Sequence, residues 1–145
     1  MAANMASRRT SDQSRSVAKA KVLLVDEDCE DLETNSLILE QQGCEVRTCR
    51  SFVEGIRCLD SEPFDFIVVC QGSLRFEGRA VLERAIEIDR HRPVVVLTRW
   101  HDMACYLEAM QLGAVDYFEK PVSPLDVARV IETHLRTHPP HPDRP

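Results

Sequence analysis

Several absences narrow this sequence before any motif is read. No apolar run approaches the roughly 20 residues of a membrane-spanning helix, so none is expected. Basic residues are not in excess. The 18 Lys and Arg against 24 Asp and Glu leave a formal net charge of -6, which argues against a dedicated nucleic-acid surface. The first twenty residues contain Arg8, Arg9 and Arg15 but no apolar core of a secretory signal, so export by that route is not expected. The six cysteines, Cys29, Cys44, Cys49, Cys58, Cys70 and Cys105, form no CxxC pair and have no histidine at zinc-site spacing. Reduced thiols in a cytoplasm are the reading that follows. With 145 residues, one domain with a real core is expected, and two are not.

The stretch that organises the rest is Phe64-Asp65-Phe66-Ile67-Val68-Val69-Cys70. It is apolar without alternation and β-branched at its centre, the pattern of a strand buried on both faces of a parallel sheet. Around it, residues 1–19 read as a disordered leader, poor in apolar period. Lys21 to Val25 reads as a buried strand running into Asp26, Glu27 and Asp28. Cys29 to Gln42 is compatible with a helix stopped by Gly43, and Cys44 to Thr48 alternates like a strand near an edge. Ser51 caps a second helix with Phe52, Val53, Ile56 and Leu59 at helical spacing. After the central strand come a helix at Ala80 to Arg90, a strand at Val94 to Leu97 ending in Thr98, and a helix from Met103 to Leu112. A short strand, Ala114 to Phe118, leads to Glu119-Lys120-Pro121, and a last helix begins at Pro124. The domain is expected over 20–137, with a Pro- and His-rich tail at 138–145. His134, His138 and His141 are too scattered to form a metal site.

Five strands alternating with five helices imply an α/β fold of parallel βαβ units, doubly wound on one sheet. The order 2-1-3-4-5 places strands one and three at the switch point, where ligands gather at the carboxyl ends. Asp26, Glu27, Cys70, Thr98 and Lys120 then converge, because each lies at the carboxyl end of its strand.

These residues carry a family resemblance. Leu23-Leu24-Val25-Asp26-Glu27-Asp28, Thr98 after an apolar strand, and the run from Gly113 to Pro124 together resemble the receiver domain of bacterial two-component response regulators, a flavodoxin-like fold, over about Lys21 to Arg136. In receivers an aspartate ending the third strand accepts a phosphoryl group from a histidine kinase. Paired acids hold Mg²⁺, a threonine or serine bonds the phosphoryl oxygen, and a lysine neutralises it. Aligning Glu77-Gly78 with the Asp-Gly that usually follows this strand puts Cys70 on the acceptor position. A thiol is a soft ligand, whereas Mg²⁺ takes hard oxygens in octahedral geometry. Aspartyl phosphorylation is therefore expected to be lost. No resident cofactor is expected, and Mg²⁺ is expected to bind weakly at best. Neither Asp65 nor Glu77 is in register to replace the acceptor. Arg99 and Trp100, after Thr98, are large enough to crowd the pocket mouth, and Gln71-Gly72-Ser73-Leu74 replaces the usual turn.

Each site residue has a plain reading beside a sharp one. Asp26 and Glu27 read as a cation site or as an acid pair neutralised by Lys120; the second is preferred, since two carboxylates 4 Å apart repel by about 4 kcal/mol at an effective dielectric near 20. Cys70 reads as a small buried hydrophobe, or as a redox-sensing thiol activated by Lys120 and Arg99. By resemblance, Thr98 and Tyr117 form the switch pair beside Lys120-Pro121, and Ala104, Leu107, Glu108, Gln111 and Tyr117 lie on the partner surface. The expected function is a stand-alone, non-enzymatic receiver-like domain in phosphorelay signalling, independent of phosphorylation, docking on a histidine kinase, a regulator or another receiver. It is expected as a monomer or weak homodimer, without nucleic acid or membrane. The alternatives are a cysteine-based redox sensor on the same fold and a phospho-receiver with another acceptor. A cofactor enzyme is disfavoured, because no glycine-rich phosphate loop follows the first strand.

Overall fold

The computed structural model describes residues 19–137. The expected tail at 138–145, with His138 and His141, and the expected leader up to residue 18 lie outside the described residues. The order is β1 (Lys21–Val25), α1 (Cys29–Gln41), β2 (Glu45–Cys49), α2 (Phe52–Ser61), β3 (Phe66–Cys70), α3 (Arg79–Ile88), β4 (Val94–Thr98), α4 (Met103–Leu112), β5 (Asp116–Glu119) and α5 (Pro124–Thr137). All strand pairs are parallel, in the order β2-β1-β3-β4-β5.

The apolar runs are explained by the two faces they serve. Leu23, Val25, Ile67, Val69, Val94 and Val96 point to one side, where Leu59 of α2, Leu82 of α3 and Ala109 of α4 cover them. Val22, Leu24, Phe66, Val68, Val95 and Leu97 point to the other, against Leu32 and Leu39 of α1 and Val130 and Leu135 of α5. Successive residues alternate faces, so a strand covered on both sides has no room for a polar phase. The edge strand β2 exposes Glu45, Arg47 and Thr48 and buries only Cys49 at its end.

Local signals set the helix ends. The Asp28, Ser51 and Asp102 side chains accept from the backbone N–H three residues on and cap α1, α2 and α4. Gly43 takes φ +91° just after α1, the left-handed terminator the sequence called for. The strands β2, β3 and β5 begin one or two residues later than their sequence patterns suggested. In β5 the reason is that Ala114 and Val115 belong to the turn after α4, joined back by the Ala114 N–H to the Ala109 carbonyl.

Candidate functional site: the pocket at the carboxyl end of the sheet

The parallel strands deliver Asp26, Cys70, Thr98 and Lys120 to one end of the sheet, as the sequence implied. Asp26 is 1 % exposed. Its Oδ1 accepts the Asp28 N–H at 2.9 Å, and its Oδ2 accepts from Lys120 Nζ at 2.6 Å. Lys120 also donates to Asp31 Oδ2 at 3.0 Å and approaches Cys70 Sγ at 3.7 Å. Burial alone would lower the Lys120 ammonium, but the hydrogen bonds to Asp26 and Asp31 and the Cys70 sulfur outweigh it and hold it above its ordinary value. The Lys120–Pro121 peptide is cis.

The second acid on Lys120 is Asp31, not Glu27. Glu27 is exposed, whereas Asp31 lies in the first turn of α1, three residues after the Asp28 cap, and so faces back over the strand ends. The signal for Asp31 was its spacing from the cap. Arg99 closes the group from above: its Nη2 donates to Asp28 Oδ2 and Asp31 Oδ2, each at 2.7 Å. Trp100 is 63 % exposed, and its contact with the pocket residues runs through its backbone. Thr98 Oγ1 donates to the Trp100 carbonyl and accepts the Trp100 N–H, both at 3.0 Å.

Cys70 is a buried free thiol, and its sulfur accepts the Gly72 N–H at 3.3 Å. Burial pushes the thiol up, the Asp26 carboxylate adds to this, and Lys120 only partly opposes it. Despite the nearby Lys120 ammonium, the Cys70 thiol is thus held above its ordinary value. The position of Cys70 is tied to Gly78: a Cβ there would stand 2.1 Å from the Cys70 carbonyl oxygen, and the Gly78 N–H bonds the Gln71 carbonyl. Asp65 sits at the opposite end of β3, accepting from the Lys21 N–H, and Glu77 folds back on Ser73.

Tyr117 is turned inward and 7 % exposed. Its hydroxyl donates to Gln71 Oε1 and accepts the Asp102 N–H at 3.4 Å, while its ring meets His101 and Tyr106 edge-on at 5.5 Å each. Gln71, fully buried, is the partner the sequence reading passed over; a polar residue directly after a buried strand was the available sign. Of the expected partner surface, Ala104, Leu107 and Gln111 are exposed on α4, Glu108 pairs with Arg79, and Tyr117 lies beneath them.

A family model, the response regulator receiver domain, matches residues 22–132. The chain belongs to this family. The receiver is 30 % identical over 131 residues to the photosynthetic apparatus regulatory protein RegA of Cereibacter sphaeroides, covering 88 % of this chain and 70 % of that protein. It is 30 % identical over 130 residues to the sensor histidine kinase GacS of Pseudomonas protegens, covering 86 % of this chain but 14 % of GacS. Among solved structures, a CheY-like receiver domain protein from Methanospirillum hungatei JF-1 superposes with a TM-score of 0.77 at 26 % identity, covering 83 % of this chain and 96 % of that one. A receiver domain from Clostridium thermocellum gives 0.75 at 28 % identity, with 82 % and 96 % covered. Among the described residues, no helix is long and apolar enough to cross a membrane.

Proposed function

We propose that this receiver works in two-component signalling as a docking module whose output does not depend on aspartyl phosphorylation. The observation that carries the reading is Cys70 at the acceptor place, beside a lysine already neutralised by Asp26 and Asp31. A thiol there supplies neither the carboxylate nucleophile nor a hard oxygen ligand. The donor set does not fit Mg²⁺: both Asp26 oxygens are engaged, Arg99 covers Asp28 and Asp31, and the fourth neighbour is sulfur. Tyr117, already turned inward onto Gln71, supports a surface that needs no phosphoryl group to set it.

The docking face is α4 and the loop before it, where Trp100, Met103 and Leu107 expose apolar surface beside Ala104 and Gln111. Its partner in this reading is a histidine kinase, a regulator or another receiver, in the cytoplasm, with no chemistry performed by the domain itself. A Cys70-centred sensor is disfavoured by the raised thiol, and another acceptor by the engagement of Asp65 and Glu77 elsewhere. Incubation with acetyl phosphate and Mg²⁺ followed by intact-mass analysis tests the reading. No phosphoryl adduct is expected, and a stable adduct on any acidic residue of the pocket refutes it.

A further inference from the structure

Away from the pocket, two thiols meet that neither the strand pattern nor the cysteine spacing had joined. Cys49 closes the edge strand β2 and Cys58 lies in α2, and their sulfurs stand 3.2 Å apart. Both are free and buried, 0 % and 5 % exposed. A disulfide requires about 2 Å between sulfurs, so closing this pair needs an approach of about 1 Å.

We propose that Cys49 and Cys58 form a redox-active dithiol, converted by hydrogen peroxide into an intramolecular disulfide. One thiolate attacks a peroxide oxygen, forming an S–O bond and breaking O–O; the released hydroxide takes up the thiol proton and leaves as water. The second sulfur then displaces the hydroxyl of this sulfenic acid, forming S–S and breaking S–O, and a second water leaves. Two electrons pass from the sulfurs to the peroxide, and two thiols become one disulfide. Proximity favours this pairing over others: the second sulfur is held in contact with the first, so its capture of a sulfenic acid is intramolecular.

The surroundings give the step a route and a consequence. Strand β2 is bonded only to β1, so its opening admits a small oxidant without unfolding the sheet. Burial, with the hydrogen bond between the two sulfurs, pushes the Cys49 thiol up to about 12, which keeps Cys49 protonated until that opening occurs. Cys49 lies opposite Val25, and its carbonyl accepts the Asp26 N–H at 3.1 Å. Helix α2 cannot slide freely to meet it, since Gly55 already lies against Val25, where an added Cβ would fall 2.8 Å from the valine Cγ2. Closure therefore pulls on the end of β2 and reaches the pocket through one backbone hydrogen bond.

The test is peroxide treatment of the reduced full chain, alkylation in denaturant, and tryptic mapping. The expected product is two hydrogens lighter than the reduced chain and links the peptide Thr48–Arg50 to Cys58–Arg75, with fragmentation placing the bond on Cys58 and not Cys70. Dithiothreitol reverses it. The C49S and C58S variants lose the linked peptide, whereas C29S and C70S keep it. If a serine variant fails to fold, as judged by circular dichroism, the wild-type map alone decides. In the wild type, the Asp26 amide resonance shifts on oxidation. Cys49 and Cys58 both remaining alkylatable while exposed Cys29 is oxidised overturns the proposal, as does a bond from Cys49 to any other cysteine.

Discussion

Lys120 donates to Asp26 across 2.6 Å, with both side chains almost wholly withdrawn from water. Removing one member of such a pair leaves the other charge buried and uncompensated, which costs about 3 kcal/mol or more. Lys120→Met is therefore expected to destabilise the receiver by about that amount in urea unfolding. Adding Asp26→Asn to it recovers a large part of the loss. If the single substitution is neutral, the ion pair does not organise the pocket.

The Gln71–Tyr117 hydrogen bond is expected to set the α4 face. Gln71→Ala removes the acceptor of the buried Tyr117 hydroxyl proton and costs about 1–3 kcal/mol. It also moves the amide resonances of Ala104, Leu107 and Gln111. Tyr117→Phe, which leaves the ring packing in place, produces a smaller change of the same pattern. Resonance changes confined to the loop after β3 contradict the coupling.

Gly78 is required by the Cys70 carbonyl oxygen rather than by its own backbone angles, since its φ is -66°. Gly78→Ala forces that contact apart and is expected to cost about 2 kcal/mol, measured by thermal or urea unfolding. A neutral outcome means that the start of α3 shifts without strain.

Alkaline pH is expected to weaken the fold. Burial pushes Cys44 and Cys105 up to about 11 and Cys49 up to about 12, and Cys70 and Lys120 are raised as well. Groups raised by folding stay protonated longer in the native state than in the unfolded chain. Their stabilisation is complete below the ordinary thiol value of 9.0 and is lost as pH climbs through the native values. The melting temperature should fall steadily above about pH 9, less steeply in Cys44→Ala. A melting temperature that rises over that range has the wrong sign for this account.

The sheet order was legible because β1, β3 and β4 carry unbroken apolar runs, which only two-sided burial explains. Cys70, Thr98 and Lys120 followed from being strand-end residues. Asp31 and Arg99 were harder, because their meeting depends on how far α1 turns back over the strand ends and where a long side chain lies, neither of which one-dimensional spacing encodes. Glu27 shows the same limit in reverse: adjacent in sequence to Asp26, it alternates out to solvent while its neighbour is buried. The Cys49–Cys58 contact joins a strand end to a helix interior, a pairing that only the packing of α2 on β1 creates.

The most direct test of the central claim is a backbone NMR titration of the receiver with Mg²⁺ and beryllofluoride, a mimic of the acyl phosphate, run beside Cys70→Asp. For the wild type, the account predicts no adduct and unmoved resonances at Asp26, Thr98 and Lys120, while Cys70→Asp gains a response at those residues. Movement of the wild-type resonances at those three residues and through Tyr117 to α4 contradicts it, and shows that the pocket takes a phosphoryl group despite its cysteine.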